Sequence, residues 1–140
     1  MDLPRRYWSD RLPRSRRALA ILIGDLGLLG VVFWWGLSVH AVEPLSMPEY
    51  AIRTVLPFVL GWLVAAVAIG AYTSESLSSV KRGLPRVLLA WTVAVGIGGL
   101  VRMSSFHPGR APAIFLAVVL GAGLLALLPW RSVGWLWARR

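Results

Sequence analysis

The chain has 140 residues, of which 57% are hydrophobic and only 15% are charged. An ordinary soluble domain carries about 25% charged residues, so this composition excludes that class. The chain has no cysteine, which excludes disulfides and thiolate chemistry. The net charge of +9 lies beside apolar segments, where it is typical of membrane topology signals, and we therefore expect no nucleic-acid partner.

Four apolar blocks follow one another along the chain. Each is long enough to cross a hydrocarbon core of about 30 Å, which takes roughly 20 helical residues. Only helices and closed barrels span lipid, and the alternation of barrel strands is missing, so the sequence predicts an all-α integral membrane four-helix bundle. We place the spans at about 18–39, 47–72, 84–101 and 112–130, in a domain at 18–133 between a basic aromatic arm at 1–17 and a basic, Trp-rich interfacial tail at 134–140.

Lys and Arg are distributed unequally between the segments that connect the spans. The arm, the 73–86 connection and the C-terminal segment from Arg131 onward carry twelve of them, whereas the 40–53 and 102–111 connections carry three. An even number of spans puts both termini on one side, so the positive-inside rule predicts cytoplasmic termini in a multi-pass protein of the plasma membrane. The arm also contains Tyr7 and Trp8, and a basic aromatic segment favours anionic lipid headgroups. Docking of a protein partner is the alternative interpretation of the arm.

The first span contains one charged residue, Asp25, among apolar residues and glycine. If the helix enters the membrane at Ala18, Asp25 lies about 10 Å deep, where a charge costs several kcal/mol and needs a partner inside the protein. A buried acid–arginine pair that fixes helix register is the first interpretation. A proton or cation site, and a contact to a lipid, a cofactor or another subunit, are the alternatives. The predicted intramembrane polar network comprises Asp25, Arg86, Arg131 and Tyr72.

Small residues recur at a spacing of four on every span, which lets helix backbones approach closely in lipid. Gly24 points about 100° away from Asp25 around the helix. We therefore expect the first span to bury two faces, one of them against a further helix or subunit. Pro57 removes a backbone hydrogen bond inside the second helix, which predicts a kink. The expected helix-packing positions are Gly24, Gly61, Gly98 and Gly121.

Polar residues also gather in the connections on the side of the membrane opposite the termini. The His and Glu residues among them lack the spacing of metal ligands, so we predict no metal site. We expect Arg102 to pair with an acid of the 40–53 connection. The sequence contains no Ser-His-Asp set, phosphate-binding glycine loop or paired-carboxylate pattern, which predicts a non-enzymatic protein without a cofactor. The predicted outer-side polar cluster comprises His40, Glu49, Arg53 and Arg102, with Glu43 and His107 nearby.

Several short motifs occur in an order that resembles one known family. They are "GD" at Gly24 and Asp25, then His40, "PFVLGW" from Pro57 to Trp62, Trp91, "GGLVR" from Gly98 to Arg102, Phe115, and a closing "WR" at Trp130 and Arg131. The family consists of small four-span membrane proteins from halophilic archaea and actinobacteria and is known only as a domain of unknown function. The resemblance covers residues 18–133 and implies the four-span architecture but no activity.

Two hypotheses of function follow from these features. The first is a non-enzymatic accessory or assembly subunit of a larger membrane complex, with other membrane subunits or further copies of the chain as partners. The rival is a small ion or proton transporter or channel that uses Asp25, with the Pro57 kink as the moving part. An enzyme acting on a lipid or isoprenoid is a third class, which would need a lateral polar pocket. Asp25 paired with an arginine in a dry bundle favours the first hypothesis, and Asp25 facing a polar cavity favours transport.

Overall fold

A computed structural model describes residues 3–104 and 110–140 of the chain. His107, which accompanies the predicted outer-side cluster, lies outside the described residues. The described residues form helices and connections without a β-strand, which confirms the predicted all-α class. The six helices are α1 (Leu3–Ser9), α2 (Arg16–Val39), α3 (Pro48–Ile69), α4 (Ser74–Ser78), α5 (Val80–Met103) and α6 (Ala113–Trp137).

Four of these helices, α2, α3, α5 and α6, are long and apolar enough to cross a membrane. They contain 22 to 25 residues, which corresponds to about 33–38 Å at 1.5 Å per residue. The predicted architecture of a four-helix membrane bundle is therefore confirmed. The short helices α1 and α4 lie before the first span and between the second and third spans.

Some helix boundaries differ from the prediction because local chemistry overrides hydropathy. α3 ends at Ile69 rather than near 72, because Gly70 adopts the left-handed conformation with φ 82° and so stops the helix. α5 begins at Val80, about one turn before the apolar block that was used to place it. α6 continues through Pro129 to Trp137, so most of the predicted interfacial tail is helical.

The helices pack unevenly against one another. α3 packs most extensively on α5, α6 contacts both α5 and α2, and α2 touches α3 only sparsely. Trp62 of α3 and Trp91 of α5 are both fully buried, with their ring centres 6.1 Å apart and an angle of 67° between the ring planes. Edge-to-face pairs of aromatic rings are favourable beyond the area that they bury. These two tryptophans therefore stabilise the contact between α3 and α5.

Glycines allow α3 and α5 to approach closely. A Cβ atom on Gly61 would lie 2.9 Å from the carbonyl oxygen of Ala94, so the two backbones meet at this point. A Cβ atom on Gly98 would overlap the ring of Phe58, and this glycine therefore leaves the space that the ring occupies. Pro57 lies inside α3 beside this contact, and the kink that it implies stays a prediction.

The packing glycines of α2 and α6 agree only in part with the prediction. A Cβ atom on Gly24 would overlap the indole ring of Trp130, so this side of α2 packs on α6 within the bundle. The prediction that Gly121 is a packing position is wrong, because no described residue beyond its own helix would lie within 4 Å of a Cβ atom on Gly121. The close contact on α6 occurs instead at Gly123, against the ring of Trp91. Two residues along a helix amount to a rotation of about 200°, which turns one glycine outward when the other faces inward.

Candidate functional site

An ion pair between α2 and α6 lies in the interior of the bundle. α2 buries a face of residues spaced three or four apart, and Asp25 lies on that face with no exposed surface. Arg131 of α6 is 1% exposed. Its Nε donates to Asp25 Oδ1 at 3.1 Å, and its Nη2 donates to Asp25 Oδ2 at 2.6 Å. This arrangement is the two-point pairing in which a guanidinium and a carboxylate bind each other most strongly.

Tyr72, in the connection between α3 and α4, adds a third hydrogen bond to the carboxylate. Its hydroxyl donates to Asp25 Oδ2 at 2.6 Å and accepts from the indole N–H of Trp62 at 3.0 Å. Burial raises the pKa of the Tyr72 hydroxyl, and the neighbouring Asp25 charge raises this pKa further. The phenol therefore stays protonated and acts as the donor, so the network joins α3 to the ion pair.

The guanidinium of Arg131 also has partners away from Asp25. Its Nη1 donates to the carbonyl oxygen of Ala71 at 3.0 Å. Its central carbon lies 4.9 Å from the ring centre of Tyr72 and 6.0 Å from that of Trp62, and aromatic faces attract a cation at such distances. A buried charge is tolerated when it is paired and hydrogen-bonded. Both members of this ion pair meet that condition.

The last turn of α3 and the connection from α3 to α5 receive side-chain donors from three other parts of the chain. Carbonyl groups at the end of a helix lack partners within the helix, and Arg and Trp side chains from the arm, α2 and α6 supply them. Two of these donors follow Pro129, and their bonds hold the last turns of α6 against the bundle. The four contacts are Arg11 to the carbonyl of Ala68, Arg131 to that of Ala71, Trp135 to that of Ser76 and Arg17 to that of Leu77.

Arg86 lies outside the buried network, which corrects one part of the predicted intramembrane cluster. Its Nη1 donates to Thr73 Oγ1 at 2.7 Å, and its Nη2 lies 3.5 Å from Glu75 Oε2. α4 brings Glu75 to the rim of the bundle beside the start of α5. Arg86 thus reaches a carboxylate without entering the interior, where Asp25 is already paired with Arg131.

The residues of the predicted outer-side polar cluster have separate partners. Glu49 and Arg53 form an exposed ion pair one turn apart on α3, with 2.7 Å between the nitrogen and the oxygen. His40 follows the last turn of α2, where its Nδ1 lies 3.0 Å from the carbonyl oxygen of Gly36. The structure therefore brings Glu49 and Arg53 of the predicted cluster together on α3, whereas His40 contacts the backbone of its own helix.

Arg102 also differs from the prediction that it pairs with an acid of the 40–53 connection. The side chain is buried, its Nε donates to the carbonyl oxygen of Arg110 at 3.0 Å, and its guanidinium carbon lies 4.7 Å from the ring centre of Phe115. α5 and α6 are consecutive and pack together, so the start of α6 is the nearer source of partners for this arginine.

Several tryptophans make polar contacts that the sequence pattern did not single out, and two of them contact the buried network or the connection before α5. Trp62 donates to Tyr72 of the buried network, and Trp135 donates to the carbonyl oxygen of Ser76 at 2.9 Å. A buried indole N–H usually finds an acceptor. Trp62 also lies near the middle of its span, away from the membrane interface where tryptophan is enriched. A tryptophan in the middle of a span needs an acceptor for its N–H inside the protein, and this position was the signal in the sequence for a polar role of Trp62.

The fold and the buried network define a class: a small four-span helical membrane protein whose helices are joined by an internal acid–arginine pair. The sequence model of the family described as "Protein of unknown function (DUF3054)" matches residues 22–134, which is most of the chain. The chain belongs to this family. No curated protein and no solved structure matches the chain.

Proposed function

We propose that this protein is a non-enzymatic accessory or assembly subunit of a larger membrane complex. The observation that carries this proposal is the hydrogen bonding of Asp25. Its two carboxylate oxygens accept three hydrogen bonds, two from Arg131 and one from Tyr72. A carboxylate that transports an ion has to exchange its partner for that ion. Asp25 instead lies in a closed network that ties α6 and the end of α3 to α2, which supports a structural role.

One face of α2 supports contact with another subunit. No described residue outside this helix would lie within 4 Å of a Cβ atom on Gly27 or Gly30. Trp34, which lies one turn after Gly30 on the same side of α2, is 48% exposed. Small residues on a span let a second helix come close, and Gly30 points about 120° around the helix from Gly24, which packs on α6. We infer that α2 has one face in the bundle and one face toward a partner subunit or another copy.

Extraction of the full-length tagged protein from its own membranes tests this proposal. The protein would be released in a mild detergent and measured by native mass spectrometry together with whatever accompanies it. We expect a partner in fixed stoichiometry. Gly30→Leu should remove that partner and leave the bundle folded, because the position is open. Gly121→Leu is the matched control, since it enlarges an equally open glycine on α6. A protein without any partner, or equal loss of the partner in both variants, would contradict the proposal.

Transport through Asp25 is the rival function, and a flux assay separates it from a structural role. The purified protein would be reconstituted into liposomes containing a pH-sensitive dye, and proton flux would be compared with that of empty liposomes. The proposal predicts no added flux, because the carboxylate is held by Arg131. Flux that disappears in Asp25→Asn, while this variant assembles normally, would establish the rival instead.

We infer the orientation of the protein from its charges. Twelve of the fifteen Lys and Arg residues lie at the end of the bundle that carries both termini, and such an excess favours the cytoplasmic side. We therefore propose a plasma-membrane protein with both termini in the cytoplasm. The predicted range of organisms for the family, halophilic archaea and actinobacteria, stays a prediction.

A further inference from the structure

The two ends of the bundle differ strongly in charge. The end with both termini carries twelve basic and four acidic residues, a net charge of +8. The opposite end carries three basic and two acidic residues, a net charge of +1. Charge of one sign on one surface attracts ligands of the opposite sign, so any anionic partner of this protein meets the end with the termini first.

Only some of the basic groups at this end lack a partner. Arg131 is paired with Asp25, Arg82 and Arg86 are paired with Glu75, and Arg11 and Arg17 donate to backbone carbonyls. Among the described residues, four arginines of the arm are exposed and have no carboxylate within salt-bridge distance. They are Arg5, Arg6, Arg14 and Arg16; outside the arm, Lys81, Arg139 and Arg140 are exposed in the same way.

The arm is fixed to the bundle at the level of the helix ends. Arg11 donates to the carbonyl oxygen of Ala68 near the end of α3, and its guanidinium carbon lies 3.9 Å from the ring centre of Tyr7. Ser15 caps α2 by accepting from the N–H of Ala18 at 3.0 Å. The arm therefore runs along the end of the spans, where a membrane presents its headgroups.

Apolar side chains on the arm remain uncovered in this position. Tyr7, Trp8 and Leu12 are 49%, 51% and 41% exposed. Aromatic residues prefer the boundary between headgroups and acyl chains, and a basic polar face beside an apolar one is typical of segments that lie in that boundary. The exposure of these side chains is an observation separate from the excess of charge, and both indicate the same ligand.

We propose that the arm is a binding site for anionic phospholipids, in which its four unpaired arginines contact headgroup phosphates while Tyr7 and Trp8 lie among the upper acyl carbons. Guanidinium groups match the geometry of phosphate oxygens and are weakly hydrated, so they suit this contact better than lysine does. The site does not depend on the proposed role as an accessory subunit. A protein whose partner complex is absent should still prefer anionic lipid.

Electron paramagnetic resonance of spin-labelled lipids tests the proposal on the full chain. The protein would be reconstituted in phosphatidylcholine vesicles, and the fraction of immobilised label would be compared for phosphatidylglycerol and phosphatidylcholine. We expect phosphatidylglycerol to associate about fivefold more strongly at the sites beside the arm at low salt, and this preference should fall toward equality in 1 M salt. The double variants Arg5→Gln/Arg6→Gln and Arg14→Gln/Arg16→Gln should each weaken the preference, and the quadruple variant should weaken it most.

A control variant distinguishes the arm from the net charge of the protein. Arg53→Gln/Arg110→Gln removes two charges from the opposite end of the bundle and should leave the preference unchanged. Circular dichroism verifies that each variant remains helical. The quadruple Arg→Lys variant keeps the four positive charges and should retain most of the preference for phosphatidylglycerol. Equal association of both lipids with the wild-type protein, or equal effects of the arm and control double variants, would overturn the proposal.

Discussion

Replacement of Arg131 by Met is the sharpest test of the buried network. Met replaces the stem of the arginine side chain with an unbranched apolar chain and removes its charge and its donors. Asp25 would lose both hydrogen bonds from the guanidinium, at 2.6 and 3.1 Å, and would keep only the one from Tyr72. The carbonyl oxygen of Ala71 would lose its donor as well.

The expected loss of stability follows from the burial of the groups left behind. Asp25 has no exposed surface and Arg131 is 1% exposed, so water cannot replace the lost partner. Removal of one member of a buried ion pair typically costs about 3–5 kcal/mol, because the other charge stays behind uncompensated. We expect a decrease of this size in the free energy of unfolding for Arg131→Met, and a similar decrease for Asp25→Leu, which leaves the guanidinium without its carboxylate.

Reversible unfolding in mixed micelles of a mild detergent and sodium dodecyl sulfate, followed by tryptophan fluorescence, measures this free energy. Arg53→Gln is the matched control, because it breaks an ion pair with Glu49 whose side chains are 55% and 78% exposed. Exposed pairs of this kind contribute about 0–1 kcal/mol. The buried and exposed variants should therefore differ by several kcal/mol in the same assay.

The double variant Asp25→Leu/Arg131→Met decides whether the two charges act as a pair. Replacement of both charges by apolar groups is often close to neutral, although the Ala71 carbonyl and the Tyr72 hydroxyl would each lose a partner at a cost of about 1–3 kcal/mol. We expect the double variant to be clearly more stable than the sum of the two single effects predicts. An Arg131→Met protein as stable as Arg53→Gln, or strict additivity in the double variant, would refute this reasoning.

Two further predictions concern packing and the third hydrogen bond. Gly123→Ala should destabilise the bundle by about 1–3 kcal/mol through overlap with the ring of Trp91. Gly121→Ala should leave the stability unchanged or raise it by up to about 1 kcal/mol. Equal unfolding free energies for the two variants would contradict the packing described. Tyr72→Phe removes a donor to the buried carboxylate and should cost about 1.5–3 kcal/mol, while Tyr7→Phe on the exposed arm should have no effect in the same titration.

The sequence by itself determined the features that follow from placing the chain in lipid rather than in water. Apolar blocks of sufficient length predict the four spans because lipid offers no partner to an open backbone. The same argument placed Asp25 inside the protein, since a lone charge in hydrocarbon is costly. It also limited the candidate partners to a few polar residues at similar depth, and Tyr72 and Arg131 were among them.

The tertiary structure decided which candidates meet. Arg86 and Arg131 are equivalent by composition and depth, but only the packing of α6 on α2 brings Arg131 to Asp25, while α4 supplies Arg86 with Glu75. The choice depends on the rotation of each helix about its axis, and residues that differ by two positions face nearly opposite ways. Hydropathy that is high all around a span leaves this rotation undetermined, so the side chains of the neighbouring helices determine it.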